Sequence, residues 1–362
     1  MNSSSKGERE REMKGLGVTA AMVAVQFLEV GFNTMLKAAM SKGMSNFVFV
    51  VYSNGLAIFV LLLASFIFYR KRSLPPLTVS LVCRIFLLGL LSCCVQSFMF
   101  TGIGYSSPTL ASAMVDLTPA FTFILAIISR MEKLDLRTQS SLAKCIGTMV
   151  SIIGALIVTL YKGLPIIIAL SSNGQPSEVL LSLQANWILG GFLLAIGSLC
   201  LSILFIVQTW IIREYPAELI VTLIASIFAT FQSALVALVA EKDPKVWRLT
   251  SNMELIAIGY SAVFLVAARN VVATWACRKK GPVFVALFSP LGMVIALVMG
   301  VTFLGDTLYL GSLIGATVIA LGFYAVIWGQ AQEEKTIENR GICSFESSSA
   351  KVPLLENKGL DI

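Results

Sequence analysis

Histidine is absent from the 362-residue chain. Its absence removes imidazole acid–base chemistry, Ser-His-Asp and Cys-His nucleophiles, and the commonest zinc ligand. The seven cysteines (Cys83, Cys93, Cys94, Cys145, Cys200, Cys277, Cys343) are odd in number and show no C-x-x-C spacing. Neither a disulfide scaffold nor a metal site is expected from them, and no catalytic constellation or cofactor is implied. What could do chemistry is a small set of polar groups inside long apolar runs. Glu29, Asp116 and Arg269 each lie well within such a run. A charge near the middle of a bilayer costs about 2.5 to 3.5 kcal/mol on insertion scales, so each asks for a cavity, a partner or an exit to the interface. Glu29 shares one helical stripe with Gln26 and Asn33. It either lines a cavity or is held by Lys37 or by another helix. Asp116 stands three residues before Pro119 and either faces the same opening or bonds a neighbouring helix. Arg269 is about 10 Å of helix rise from the near membrane surface; it either snorkels there or shares a wet setting with Asn270. Gln96, Tyr105, Gln208 and Gln232 are weaker candidates, for helix-to-helix hydrogen bonds or ligand contact. The candidate solute-binding set is Glu29, Asn33, Gln96, Asp116, Pro119, Arg269, Asn270 and Pro290.

The elements that must position these groups follow from composition. Apolar residues make up 57% of the chain and charged residues only 13%, against about half and a quarter in soluble domains, which argues for lipid as solvent. A hydrocarbon core about 30 Å thick needs roughly 20 apolar helical residues. Ten such runs are found, near 15–36, 47–69, 85–105, 109–128, 145–161, 187–207, 217–240, 253–276, 282–304 and 308–329. Charged or proline-containing clusters separate them, such as Arg70-Lys71-Arg72 with Pro75-Pro76 and Arg278-Lys279-Lys280. Ten spans put both termini on one side. Of the 27 Lys and Arg, 20 fall on segments sharing the side of the termini and six on the other. By the positive-inside rule both termini are cytosolic, and the net charge of +7 reflects topology rather than a nucleic-acid footprint. Residues 1–14 read as a cytosolic lead, 162–186 as an extracytosolic loop that could lie along the interface, and 330–362 as a disordered cytosolic tail.

The two halves repeat. Pro108 to Pro119, then Glu132, Gly147 and Gly154, recur as Pro282 to Pro290, then Asp306, Gly315 and Gly322. Each half, 15–161 and 187–329, contains five spans, and because five is odd the second copy is inverted relative to the first. Inverted repeats are the architecture of many secondary transporters, with a midplane site between the halves. Pro119 and Pro290 fall inside spans, where each frees a backbone carbonyl (of Val115 and Ala286), so spans 4 and 9 either bring loosened backbone to a central chamber or are simply kinked. The glycines form faces for close helix packing.

The stretches FNTMLKAAMSKGMSNFVFVVYSNGLA (32–57), SSPTLASAMVDLTPAFTFILAIISRMEKLDLR (106–137), IIREYPAELIVTLIASIFATFQSALVAL (211–238) and TWACRKKGPVFVALFSPLGMVIAL (274–297) resemble the plant walls-are-thin-related, nodulin-21-like (UMAMIT) transporters. That family belongs to the drug/metabolite transporter superfamily and carries two EamA repeats. The resemblance covers about 15 to 330 and implies an all-α polytopic membrane protein of ten transmembrane helices, arranged as two inverted five-helix EamA-type repeats. It further implies a non-enzymatic carrier of amino acids or related metabolites, auxin in one branch, in the plasma or vacuolar membrane. Asp116 stands where the family usually has Asn, and Ala268-Arg269-Asn270 interrupts a normally uncharged eighth helix. The expected partners are a small-molecule solute and the bilayer, with the oligomeric state open; a receptor or scaffold without flux is the alternative of another class.

Overall fold

The computed structural model describes residues 16–31, 45–70, 76–105, 114–115, 117–131, 138–161, 165–167, 183–249, 252–299 and 308–349. Among them the chain is almost wholly helical. In order come α1 (Leu16–Gly31), α2 (Asn46–Tyr69), α3 (Val79–Tyr105), α4 (Thr118–Ile128), α5 (Gln139–Leu160), the short strand β1 (Pro165–Ile167), α6 (Leu183–Glu214) and α7 (Glu218–Ala240). Then follow α8 (Asn252–Lys280), α9 (Pro282–Ala286), α10 (Phe288–Met299), the strand β2 (Leu308–Tyr309) and α11 (Leu310–Ser349). Helices α1 to α8 answer to the first eight apolar runs, α9 with α10 to the ninth and α11 to the tenth. Six of these helices are long and apolar enough to cross a membrane outright. Large apolar side chains such as Phe59, Phe66, Phe192, Phe231 and Leu238 remain more than half exposed, as a lipid-facing surface requires.

The inverted repeat is visible in how the halves meet. Helix α5 packs along α11, α3 along α6, and α2 along α7, each pair taking one helix from each half. Along the α5–α11 seam a methyl group added at Gly147 would sit 2.7 Å from the carbonyl oxygen of Gly322, and one at Gly154 would sit 3.0 Å from that of Gly315. If Gly147 is equivalent to Gly315, and Gly154 to Gly322, these two contacts are the same contact seen from either side of a two-fold axis. The glycine pairs thus let two backbones touch at the axis. Strand β1 pairs antiparallel with β2, tying the loop between the halves to the loop before α11.

Both proline-containing spans are broken, and the breaks differ from simple kinks. Helix α4 starts at Thr118 with Pro119 in its first turn, where the missing N–H has no helical acceptor to lose. Pro119 therefore begins a helix instead of interrupting one. The backbone oxygens around this break are taken up by α6: Ser198 Oγ donates to the Met114 carbonyl at 2.6 Å and Ser202 Oγ to that of Thr118 at 3.2 Å. In the second half the helix stops at Ala286, turns at Leu287 and resumes at Phe288. Pro290, buried, lies in the first turn of α10. Gly281 separates α8 from α9 with φ 89° and ψ 173°, a region essentially reserved for glycine.

Helix α8 is not uniform. Residues Ser261–Arg269 form a π-helical stretch between two α-helical ones, Asn252–Tyr260 and Asn270–Lys280. Wide turns of this kind concentrate at functional sites. Helix α11 runs on to Ser349, past residue 329, where the sequence suggested that a disordered tail begins. The segment 330–335, QAQEEK, is made of strong helix formers, and Glu333 is held in an ion pair by the buried Lys144 of α5.

Candidate functional site

Arg269 closes the π-helical stretch, and the wide turn delivers its guanidinium to α1. There Arg269 Nε lies 3.1 Å from Glu29 Oε2, with the two side chains about a third exposed (35% and 30%). Each charge thereby neutralises the other within the span, which answers the insertion cost that made both conspicuous in the sequence. Arg269 stands seven residues before the end of the apolar run at Ala276, about 10 Å of helix rise from it, so the pair lies inside a 30 Å core, about a third of the way across it. The same face of α1 is anchored above and below. Tyr260 Oη donates to the Leu28 carbonyl at 3.2 Å, and the Tyr260 ring rests 4.7 Å from that of Phe264. Gln26 is buried at 8% exposure beside Gly292 of α10, where a methyl group would sit 2.5 Å from Gln26 Oε1. Thus α1, α8 and α10, drawn from both halves, converge on one acid and one base.

Other sequence candidates fall elsewhere. Asn270 follows Arg269 directly, and its carbonyl accepts from Thr274 Oγ1 at 2.6 Å. Thr274 is completely buried; it also receives a hydrogen bond from Gln208 Nε2 of α6 and meets Thr222 Oγ1 of α7 at 3.3 Å. Gln208 is therefore a helix-to-helix bond, one of the two readings open for it. Gln96 of α3 borders a partly open space of about 10 Å³ between α2, α3 and α7. That space, bordered by both halves, has room for about one water, so in this conformation it is closed to a metabolite. Pro119 and Pro290 mark the helix starts described above. Asn33, Asp116, Lys37, Glu132 and Asp306 lie outside the described residues.

Glu218, in the first turn of α7, binds Arg278 Nη1 at 2.6 Å. Arg84 of α3 lies over Trp210 of α6, 4.5 Å from the ring centre, and pairs with Glu214. At the opposite end, Ser45 Oγ donates to Glu241 Oε1 at 2.5 Å and Tyr52 Oη to the Trp247 carbonyl at 3.0 Å. Contacts between the halves therefore exist at both ends of the bundle.

The profile of the EamA-like transporter family matches residues 15–160 and 188–328. The chain belongs to that family. The two matched segments are the two five-helix halves, so the EamA repeats coincide with the bundles that meet at the glycine seam. Among curated proteins, one WAT1-related protein of Arabidopsis thaliana is 48% identical over 351 residues, 93% of this chain and 94% of the relative. A second is 43% identical over 341 residues, 94% of this chain and 96% of the relative. A crystal structure of another protein superposes with a TM-score of 0.62 at 15% identity, over 87% of this chain and 99% of that one, which speaks to the shared fold. As an EamA-like protein with this helical make-up, the chain is an integral, multi-pass membrane protein of a transporter family.

The paired state of Glu29 and Arg269 was not legible in the sequence. Each was conspicuous alone, but α1 and α8 are brought together only by folding. The polar residues Ser53 and Asn54 of α2, buried at 2% and 3% exposure, were also missed; the signal was their adjacency in an otherwise apolar run.

Proposed function

We propose that this chain is an alternating-access carrier of small organic metabolites, with amino acids as the preferred class. The observation that carries the reading is the Glu29–Arg269 pair. An amino acid brings one ammonium and one carboxylate. By inserting between the two side chains it gives Glu29 a cation and Arg269 an anion, so the site exchanges one neutral set of charges for another. A charge-balanced swap avoids leaving an uncompensated charge in a low-dielectric setting. The π-helical stretch lies in α8, which holds Arg269, and the second broken span meets α1 where Gly292 abuts Gln26; discontinuous helices at repeat interfaces suit such a binding site. Opening the two ends alternately would present the site to each compartment. The charge bias of the loops supports cytosolic termini, with the plasma or vacuolar membrane as residence.

A second reading is a carrier of indole acids such as auxin. It needs only Arg269 for the carboxylate and an aromatic surface, which the adjoining Tyr260 and Phe264 rings, tilted 41° to each other, offer. Uptake and efflux of labelled amino acids and of indole-3-acetate by the full chain in liposomes separates the two. For an amino-acid carrier, Arg269→Leu abolishes flux and Glu29→Gln lowers it at least tenfold, about 1.4 kcal/mol of lost binding. For an indole-acid carrier, Glu29→Gln leaves flux intact. Wild-type flux that neither variant alters removes the pair from the site, and no flux of any solute supports the receptor or scaffold reading.

A further inference from the structure

Beside the water-sized space, three helices from both halves present neutral polar side chains that the ion pair does not use. The space is bordered by Phe47 and Val50 of α2, Gln96 and Phe100 of α3, and Ser233 and Val236 of α7. One helical turn from Val50 stands Asn54, and one turn from Val236 stands Gln232, both on the side of the space nearer the Arg70 end of α2. Ser53, Asn54, Gln232 and Ser233 are all more than nine-tenths buried, at 2%, 3%, 8% and 6% exposure. Yet Ser53 Oγ, Asn54 Nδ2, Gln96 Oε1, Ser233 Oγ and both amide atoms of Gln232 have no hydrogen-bond partner among the described residues. Buried polar atoms are rarely left unpaired, so six of them on residues that border this space or stand within a helical turn of its lining ask for a guest.

The chemistry of the open positions selects that guest. Asn54 Nδ2 and Gln232 Nε2 donate, whereas Gln96 Oε1 and Gln232 Oε1 accept. A metal cation would leave the donors unmet and an anion the acceptors. Among the described residues no charged side chain borders the space. We propose that this node is a binding site for a small neutral group that both donates and accepts hydrogen bonds, bridging α2 and α3 of the first repeat to α7 of the second. That group has two sources. One is a bound water, which the volume of about 10 Å³ admits. The other is the terminal carboxamide or hydroxyl of a transported solute, seated when α7 separates from α2 and α3; this source rests on the carrier reading.

Two measurements on the full-length protein distinguish them. Radiolytic hydroxyl labelling of the detergent-purified chain reports water held against Phe47 and Phe100. Flux in liposomes compares glutamine with leucine, which lacks the amide. If water is the guest, both phenylalanines are labelled in the wild type, labelling falls at least threefold in Gln232→Leu and in the milder Ser233→Ala, and the glutamine-to-leucine ratio holds. If a solute group is the guest, the same variants lower the glutamine-to-leucine ratio about threefold to tenfold, the worth of one neutral hydrogen bond. Monodisperse elution of Ser233→Ala guards against misfolding in Gln232→Leu. Unchanged labelling together with an unchanged ratio overturns the proposal. Because labelling needs no transport, a chain that moves no solute would overturn the carrier reading and leave the water site standing.

Discussion

At the scale of single residues, the Glu29–Arg269 contact is a partly exposed pair rather than a buried one. Both side chains keep about a third of their surface (30% and 35%); in the watery chamber that the carrier reading requires, solvent screening limits what their attraction contributes to stability. A double-mutant cycle of Glu29→Gln and Arg269→Leu, read as thermal unfolding in detergent, should therefore return a coupling of about 1 kcal/mol or less. A coupling of several kcal/mol would mean a dry structural bridge and count against a site that opens to solutes. Thr274 offers the contrast. It is fully buried and shared by Gln208 and Thr222, so Thr274→Val strands the Gln208 amide and should destabilise by about 1 to 3 kcal/mol, with little effect on solute preference. Charged residues were easy to single out in the sequence because hydrocarbon penalises them individually. Neutral Ser53, Asn54 and Ser233 carry no such mark, and only their shared burial makes them notable.

At the scale of elements, span positions were readable because bilayer thickness fixes the length of an apolar run; α2 and α7 begin and end within a residue or so of the expected 47–69 and 217–240. The breaks were readable only in part. Pro119 and Pro290 announce an interruption, but whether proline kinks a helix or starts one depends on what receives the backbone carbonyls around it, and Ser198 and Ser202, which take those of Met114 and Thr118, come from a helix in the other half. The π-helical stretch Ser261–Arg269 has no periodic signature, since an apolar run surrounded by lipid and packed neighbours reads alike with either winding. Gly281 makes the sharpest prediction here. Its φ of 89° with ψ of 173° lies where a side chain collides with its own backbone, so Gly281→Ala should cost about 1 to 3 kcal/mol. A lowered unfolding midpoint for Gly281→Ala, with no loss for Gly17→Ala, where a methyl group meets nothing within 4 Å, would bear this out.

At the scale of the whole molecule, the halves hold each other at both ends: Ser45 with Glu241 and Tyr52 with Trp247 at one, Arg84 with Glu214 and Lys144 with Glu333 at the other. A carrier that opens its ends in turn must break these sets one at a time. Linking Ser45→Cys to Glu241→Cys with a short bifunctional thiol reagent, in a Cys83→Ser background, should stop flux, and a reducible linker should restore it once cleaved. Undiminished flux in the linked protein would rule out movement at that end. The glycine seam bears on assembly instead. Gly147 meets Gly322 and Gly154 meets Gly315 main chain to main chain, so each half carries the mould of its mate. Two separately translated fragments, cut between residues 168 and 182, should then find one another in the membrane and co-purify, and a bulky residue in place of Gly322 should keep them strangers.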